Sequence, residues 1–348
     1  MKRISLTEVR VSDKARRRVD EVLLSGRIGQ GPLIQEFEEK FADWIGSKYA
    51  VAVASGTAAD TIALATLKNL GNGETEVVMP ALTFAAQLNA VLYNGLTPKF
   101  YDAGPHEMNH IDDAVLCEFP VHLLGIPRQR FPIESIEDTC EAMGTTINGR
   151  KCGTFGVMGT FSFFPSHTMT TGEGGMIVTN DSECAEMAKT LRNHGKDSGK
   201  DFHFAVVGFN GKMTSIQAAL GVEALKQVDA DIKKRRDHWL YLGGEEPKGV
   251  FVSPHAYPVI CKSKKERDAM MKKLFDSGIE CRNLFSSLPT QELAYSFLGY
   301  KIGAFPQSEK IGDCGLYVPC HQYLEKRDLD RIKEIISEKE TQKAPVLA

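Results

Sequence analysis

Short apolar runs alternate along this chain with stretches in which apolar residues recur every three or four positions. That is the pattern of strands joined by crossover helices in a mainly parallel sheet. Residues 49–55 predict a strand, 57–70 a helix, 76–80 a strand, 84–93 a helix and 98–102 a strand. Further strands are predicted at 114–118, 136–138, 158–163 and 176–179. From residue 214 to about 243 runs a single long helical pattern, with Ile216, Leu220, Val222, Leu225, Val228 and Ile232 as its apolar stripe. The cluster Gly243-Gly-Glu-Glu-Pro-Lys-Gly249 breaks it, and a second unit follows, with a strand at 256–261 and helices at 264–277 and 328–337. The expected fold class is α/β. A large domain spans residues 1–243 and a smaller C-terminal α+β domain spans 244–348, with residues 341–348 frayed.

Composition narrows the partners. A chain of 348 residues is long for one core, and 42% apolar residues can fill two. The net charge of −3 gives no reason to expect a nucleic-acid or membrane-surface partner. The basic cluster Lys233-Lys-Arg-Arg236 reads as the solvated face of a helix. Eight cysteines are scattered without a Cys-x-x-Cys pair, so a reduced, cytoplasmic protein without bound metal is expected. The start Met1-Lys-Arg-Ile-Ser lacks the apolar core of a signal peptide. No apolar run approaches the roughly 18 residues that span a bilayer.

The chemistry gathers around Phe161-Ser-Phe-Phe-Pro-Ser-His167-Thr-Met-Thr-Thr-Gly-Glu-Gly-Gly175. Other segments stand in order with it: Gly31-Pro32 with Phe37-Glu38, Ala54-Ser-Gly-Thr-Ala-Ala59, Pro80-Ala-Leu-Thr-Phe84, Glu137-Asp138, Arg192-Asn-His-Gly195 and Gly208-Phe-Asn-Gly-Lys-Met213. Together they resemble the DegT/StrS family of sugar aminotransferases, enzymes of fold-type I that use pyridoxal 5'-phosphate (PLP). In those aminotransferases the position of His167 carries the lysine that bonds covalently to the cofactor. An imidazole cannot form that bond. The resemblance in active-site motif is strongest to the branch with histidine at this position, which acts on GDP-4-keto-6-deoxy-D-mannose as a 3-dehydratase.

On its own terms, Ser55-Gly56-Thr57 at a strand-to-helix turn suits a phosphate, because helix-start amides meet an anion there. An ordinary N-cap accounts for the same residues. A pyridine nitrogen that must stay protonated needs a carboxylate, and Asp138 ends a predicted strand, although a surface acid is the plain alternative. The resemblance implies further that Phe84 covers a ring face and that Ser162 binds the phosphate. It also implies that Asn210 reaches the phosphate of a neighbouring subunit, so that a homodimer shares its active sites. Glu141 departs from the Gln or His of many relatives near the cofactor. Arg192 and Arg282 are candidate contacts for anionic substrate groups, each equally readable as a surface ion pair.

The expectation is then an enzyme of deoxysugar biosynthesis, of the kind that supplies lipopolysaccharide O-antigen. It starts from pyridoxamine 5'-phosphate (PMP), uses His167 as base on a nucleotide-linked 4-keto-6-deoxy sugar, and takes glutamate as amino donor. No cluster-ligand spacing calls for an iron–sulfur partner. A nucleotide-sugar aminotransferase of the same fold, or a non-catalytic PLP-binding homologue, are the alternatives.

Overall fold

The computed structural model describes residues 3–103, 115–128, 134–197 and 202–337. The expected fraying of residues 341–348 lies outside them. Two helices lead in, α1 (Asp13–Ser25) and α2 (Pro32–Ile45). A βαβαβ stretch follows: β1 (Tyr49–Val53), α3 (Gly56–Leu70), β2 (Glu76–Pro80), α4 (Ala85–Tyr93) and β3 (Thr97–Tyr101). Next come β4 (Val115–Glu118), β5 (Ile136–Asp138), the small hairpin β6 (Thr146–Ile147) and β7 (Arg150–Lys151), then β8 (Met158–Ser162) and β9 (Gly175–Thr179). After them run α5 (Ser182–Arg192), α6 (Ser215–Leu225) and α7 (Val228–Leu242).

The strands order as β3-β2-β4 and β1-β9-β8-β5. Parallel bridges Glu118↔Ser135 and Val121↔Asp138 join the two sets through β4 and β5. Only β9 runs against its neighbours, pairing antiparallel with both β1 and β8. The loop 163–174 carries the chain from β8 back into β9, and β1, β2, β5 and β8 all end on one edge. The carboxyl ends of those strands therefore open on a common crevice, where ligands of open α/β sheets bind.

Apolar faces on both sides of the sheet are covered. Val51, Val53, Ile62, Leu64, Val77, Met79, Leu88, Met158 and Ile177 form one core with α3 and α4. Phe37, Phe41, Phe161, Phe163, Met176, Met213 and Val222 form the other with α2 and α6.

The pattern that predicts one long helix from 214 to 243 is two helices, interrupted at Lys226 and Gln227. No glycine or proline marks the break. It follows from packing: Ala218, Val222 and Ile232 belong to the large core, whereas Leu242 of the second helix enters a separate core with Val259, Leu274, Leu316 and Ile332. One straight stripe could not face both. Gly243, at φ 111°, ends α7. It precedes β10 (Val250–Phe251), β11 (Tyr257–Ile260), α8 (Lys264–Asp276), β12 (Arg282–Asn283), α9 (Leu288–Gln291), α10 (Pro306–Cys314), β13 (Gly315–Val318) and α11 (Lys326–Ser337). Strands β11, β13 and β12 make an antiparallel sheet, the α+β part of the chain. We propose Gly243 as the end of the large domain, as the sequence suggests.

The basic cluster at 233–236 is not a purely solvated face. Arg235 is buried, with Nε donating to the Pro254 carbonyl at 2.9 Å, Nη2 to the His255 carbonyl at 2.5 Å and Nη1 to Gln322 at 3.1 Å. A buried guanidinium with three acceptors holds the segment that carries His255. Among the described residues, no helix is long and apolar enough to cross a membrane.

Candidate active site

A cavity of about 310 Å³ lies at the carboxyl edge of the sheet, between it and the C-terminal sheet. Eight of the residues singled out in the sequence line it: Gly56, Thr57, Phe84, Asp138, Glu141, Ser162, His167 and Arg282. They come from five separate stretches of chain.

One end is built for an anion. Helix α3 starts directly after β1, and the Ser55 hydroxyl caps it by accepting from the Ala58 amide at 3.1 Å. The N-cap reading of this turn is therefore correct, and it leaves the first-turn amides of Gly56 and Thr57 ahead of the helix's own bonding pattern. Gly56 is required by proximity: a Cβ there would stand 2.6 Å from Ser162 Cβ. That contact brings the end of β8 against the start of α3, so a hydroxyl and helix-start amides line one corner.

The adjoining wall is acidic. Asp138 ends β5, is 5% exposed, and accepts from the Cys140 amide at 3.1 Å. Burial raises its carboxyl above the ordinary range, while the Cys140 bond and nearby His122 oppose that shift. Phe84 is exposed on the rim, its ring 5.8 Å from that of Phe285, and both line the cavity.

His167 sits in the loop between β8 and β9. Its Nδ1 lies 2.6 Å from the Cys140 carbonyl. A carbonyl only accepts, so Nδ1 carries the ring proton and Nε2 keeps its lone pair. Enclosure lowers the imidazole pKa to about 4; the Cys140 bond opposes this, and the charge of Arg235 adds to it. The neutral base is thus the resting form at neutral pH. The loop closes through the Gly172–Gly175 stretch, where Gly172 takes φ +86° and a Cβ on Gly175 would meet the Ser55 carbonyl at 2.3 Å. These glycines let the loop turn and pass directly against the Ser55 backbone.

Among the lining residues that the sequence did not single out are His255, Tyr317 and Asp60, all titratable. His255 is 8% exposed, its ring 5.1 Å from that of His167, with Nε2 3.7 Å from Glu141 Oε1. Burial and the charges of His167 and Arg235 hold its pKa well below the ordinary value. Glu141 accepts from the Leu124 amide at 2.8 Å, and burial raises its carboxyl to about 8. At neutral pH the pair is therefore largely a carboxylic acid beside a neutral imidazole. Tyr317 and Asp60 line the cavity as well. The motif His255-Ala-Tyr-Pro offered no spacing that tied it to His167.

Two candidates stand elsewhere. Arg192 is buried, its Nη1 donating to Glu38 at 2.5 Å and to the Ala52 carbonyl at 2.7 Å. Glu38 also accepts from the Ala52 amide at 2.8 Å. Both outward groups of Ala52 on edge strand β1 are thereby satisfied, which protects an open edge. Of the two readings of Arg192, substrate contact or ion pair, the structure shows an ion pair, buried and away from the cavity. Asn210 is exposed, bridged to Asn193, and outside the cavity of its own chain.

The donor set fits a phosphorylated pyridine: helix-start amides and a hydroxyl for the phosphate, a buried carboxylate for the ring nitrogen, and an aromatic side chain on the rim of the same cavity. A family model, that of DegT/DnrJ/EryC1/StrS aminotransferases, matches residues 10–118 and 127–337. The GDP-perosamine synthase of Caulobacter vibrioides is 36% identical over 95% of this chain and 96% of that protein. The GDP-4-keto-6-deoxy-D-mannose 3-dehydratase of Yersinia pseudotuberculosis is 29% identical over 87% of this chain and 90% of that protein. Among solved structures, the Escherichia coli GDP-4-keto-6-deoxy-D-mannose 3-dehydratase with bound hydrated PLP matches with a TM-score of 0.85 at 26% identity, over 97% of this chain and 100% of that one. The fold is that of the fold-type I PLP enzymes, and the chain belongs to the DegT/DnrJ/EryC1/StrS aminotransferase family.

Proposed function

We propose that this protein is a PLP/PMP-dependent enzyme that removes the 3-hydroxyl of a nucleotide-linked 4-keto-6-deoxy sugar, working from the PMP form. The observation that carries this reading is His167 in a cavity with no lysine among its described lining residues. Among the described lining residues, no primary amine is in place to bond the cofactor. Gly56, Thr57 and Ser162 hold its phosphate, Asp138 its ring nitrogen and Phe84 one ring face.

When bound, the cofactor supplies an electron-withdrawing ring that acidifies the carbon bearing its amine. His167 Nε2, which keeps its lone pair, would serve as the base that takes up a proton and, once protonated, as the acid that gives it to a leaving hydroxyl. The Cys140 carbonyl keeps the ring oriented throughout. Arg282 faces an anionic part of the substrate, and glutamate restores the amine. We further propose a homodimer in which Asn210 serves the partner's phosphate. Phe202, Phe204 and Val207 beside it are 87%, 56% and 94% exposed, an apolar surface a second copy would cover. Sedimentation should then give twice the chain mass of 38.4 kDa.

A second reading has its own support. Identity to the GDP-perosamine synthase, 36%, exceeds the 29% to the dehydratase, and whole-chain similarity favours a sugar aminotransferase. Whole-chain identity reports the scaffold, however, while reaction type is decided at the site, where the imidazole stands. Incubation with PMP, glutamate and GDP- or CDP-linked 4-keto-6-deoxy sugars separates them by mass spectrometry. Dehydration releases ammonia and a 3-deoxy product. An amino sugar formed stoichiometrically supports the aminotransferase, and cofactor binding without turnover supports a binding protein.

The pH profile carries a signature. An imidazole of ordinary pKa, near 6.5, would lose about tenfold of its base form by pH 5.5. With His167 at about 4, kcat/KM for the sugar should hold its acid-side plateau through pH 5.5. If Glu141 serves as an acid, the alkaline limb falls near its value of about 8.

A further inference from the structure

Asp60 has no part in the chemistry above, yet it lines the same cavity. It lies on α3 four residues after Gly56, one helical turn below the anion corner and on the same face. It is 1% exposed, and its Oδ1 accepts from the Thr160 hydroxyl at 2.7 Å. A carboxylate oxygen of Asp60, one of Asp138 and the sulfur of Cys140 all lie within 4.8 Å of one another. Two buried carboxyls therefore share one wall of the site.

Charge decides what such a pair can do. The groups facing it are Thr160 on β8, Cys140 and Glu141 on the turn after β5, and His122 behind β5. Among the described residues, the influences that lower the pair are the hydrogen bonds of Cys140 and the neighbouring His122 on Asp138, and the Thr160 hydroxyl on Asp60. Burial and the neighbouring Asp138 push the Asp60 carboxyl well above its usual range. Two negative charges this close in a dry site do not coexist without a cation, so the pair titrates as one unit.

We propose that Asp60 is a second carboxyl of the ring-nitrogen site, holding one proton for the pair before the cofactor binds and giving it up when the cationic ring end is seated against Asp138. This rests on the assignment of Asp138 to the ring nitrogen. The buried charge balances: one negative charge on the pair beforehand, then two facing one positive charge. The proton passes to the ring nitrogen when the cofactor arrives unprotonated, and to solvent otherwise. Asp60 is thus a positioning residue for protonation, fixing the ring in its electron-withdrawing form without drawing a proton across the site.

Calorimetry of PMP binding to the apoprotein, in buffers of different ionisation heat, reads this directly. Asp60→Asn should take up about one more proton per site than the wild type, since it has none stored. The ring-protonated absorbance of bound PMP should also persist to higher pH in the wild type, by about one pH unit or more. Infrared difference spectra of the wild type alone should lose a protonated-carboxyl band on PMP binding, a measurement independent of how the variant folds. Equal proton counts in the two proteins, or an unchanged carboxyl band, overturn the proposal. Asp138→Asn distinguishes the two levels: if ring protonation survives that change, the assignment of Asp138 fails first. If protonation is lost there while Asp60→Asn matches the wild type, only the role of Asp60 fails.

Discussion

Replacing His167 with asparagine should reduce the rate of 3-deoxy sugar formation by roughly 10²–10⁴-fold, the span usual for loss of a general base. Asparagine can still donate to the Cys140 carbonyl, the contact that orients the imidazole at 2.6 Å, so the loop keeps its anchor. What disappears is a nitrogen lone pair able to take a proton near neutrality. The groups proposed to hold the cofactor are untouched, and PMP affinity should stay within about threefold, under about 0.7 kcal/mol. Single-turnover rates and a PMP titration, taken side by side, separate the two quantities. A rate that survives the change would remove the imidazole from the mechanism. His167→Lys asks the complementary question: if an amine there restores ordinary transamination at a good rate, the aminotransferase reading gains at the expense of dehydration.

Local features were the legible ones. The run Tyr49–Val53, the turn Ser55-Gly56-Thr57 and the helix after it are encoded within some twenty consecutive residues, and each appears where the pattern puts it. Residues joined across long stretches of sequence were not legible. Arg192 reads equally as a substrate contact or an ion pair, and only its partner Glu38, 154 positions away, decides between them. Arg235 reads as one more charge in a basic cluster, because its acceptors at 254, 255 and 322 lie on other elements. The same guanidinium, with the Leu124 carbonyl, anchors the backbone of His255, whose ring meets that of His167. Asp60 is hidden for a different reason: one acid in an apolar helix reads as a surface position, and only the sheet behind it shows otherwise. The break between α6 and α7 has no local breaker, since two separate cores demand it.

The adjacent acids Glu137 and Asp138 show how one strand divides its labour. Successive side chains on a strand point to opposite faces, so while Asp138 lines the cavity, Glu137 turns away into the loop behind. There its carboxylate accepts from the amides of Gly153 and Gly156, each at 2.8 Å, and from that of Phe155. The fourth donor is His122: its Nδ1 accepts from the Arg128 amide at 3.2 Å, so Nε2 carries the proton and donates to Glu137 at 3.2 Å. Glu137 is fully buried. Glu137→Ala would leave these donors without an acceptor, at about 1–3 kcal/mol each before relaxation or entering water. A net loss of roughly 4–6 kcal/mol is expected, comparable with the whole stability of many domains. Glu137→Gln keeps one acceptor oxygen but sets an amide donor against another donor, and should cost about 2 kcal/mol. Urea unfolding should show the midpoints falling in that order with the slope unchanged. Because a Cβ at Gly159 of β8 would stand only 2.2 Å from the Gly153 carbonyl, the loop held by Glu137 lies directly on the strand that ends at Ser162. A glutamine variant that folds should therefore also bind PMP more weakly, although Glu137 itself never faces the cavity.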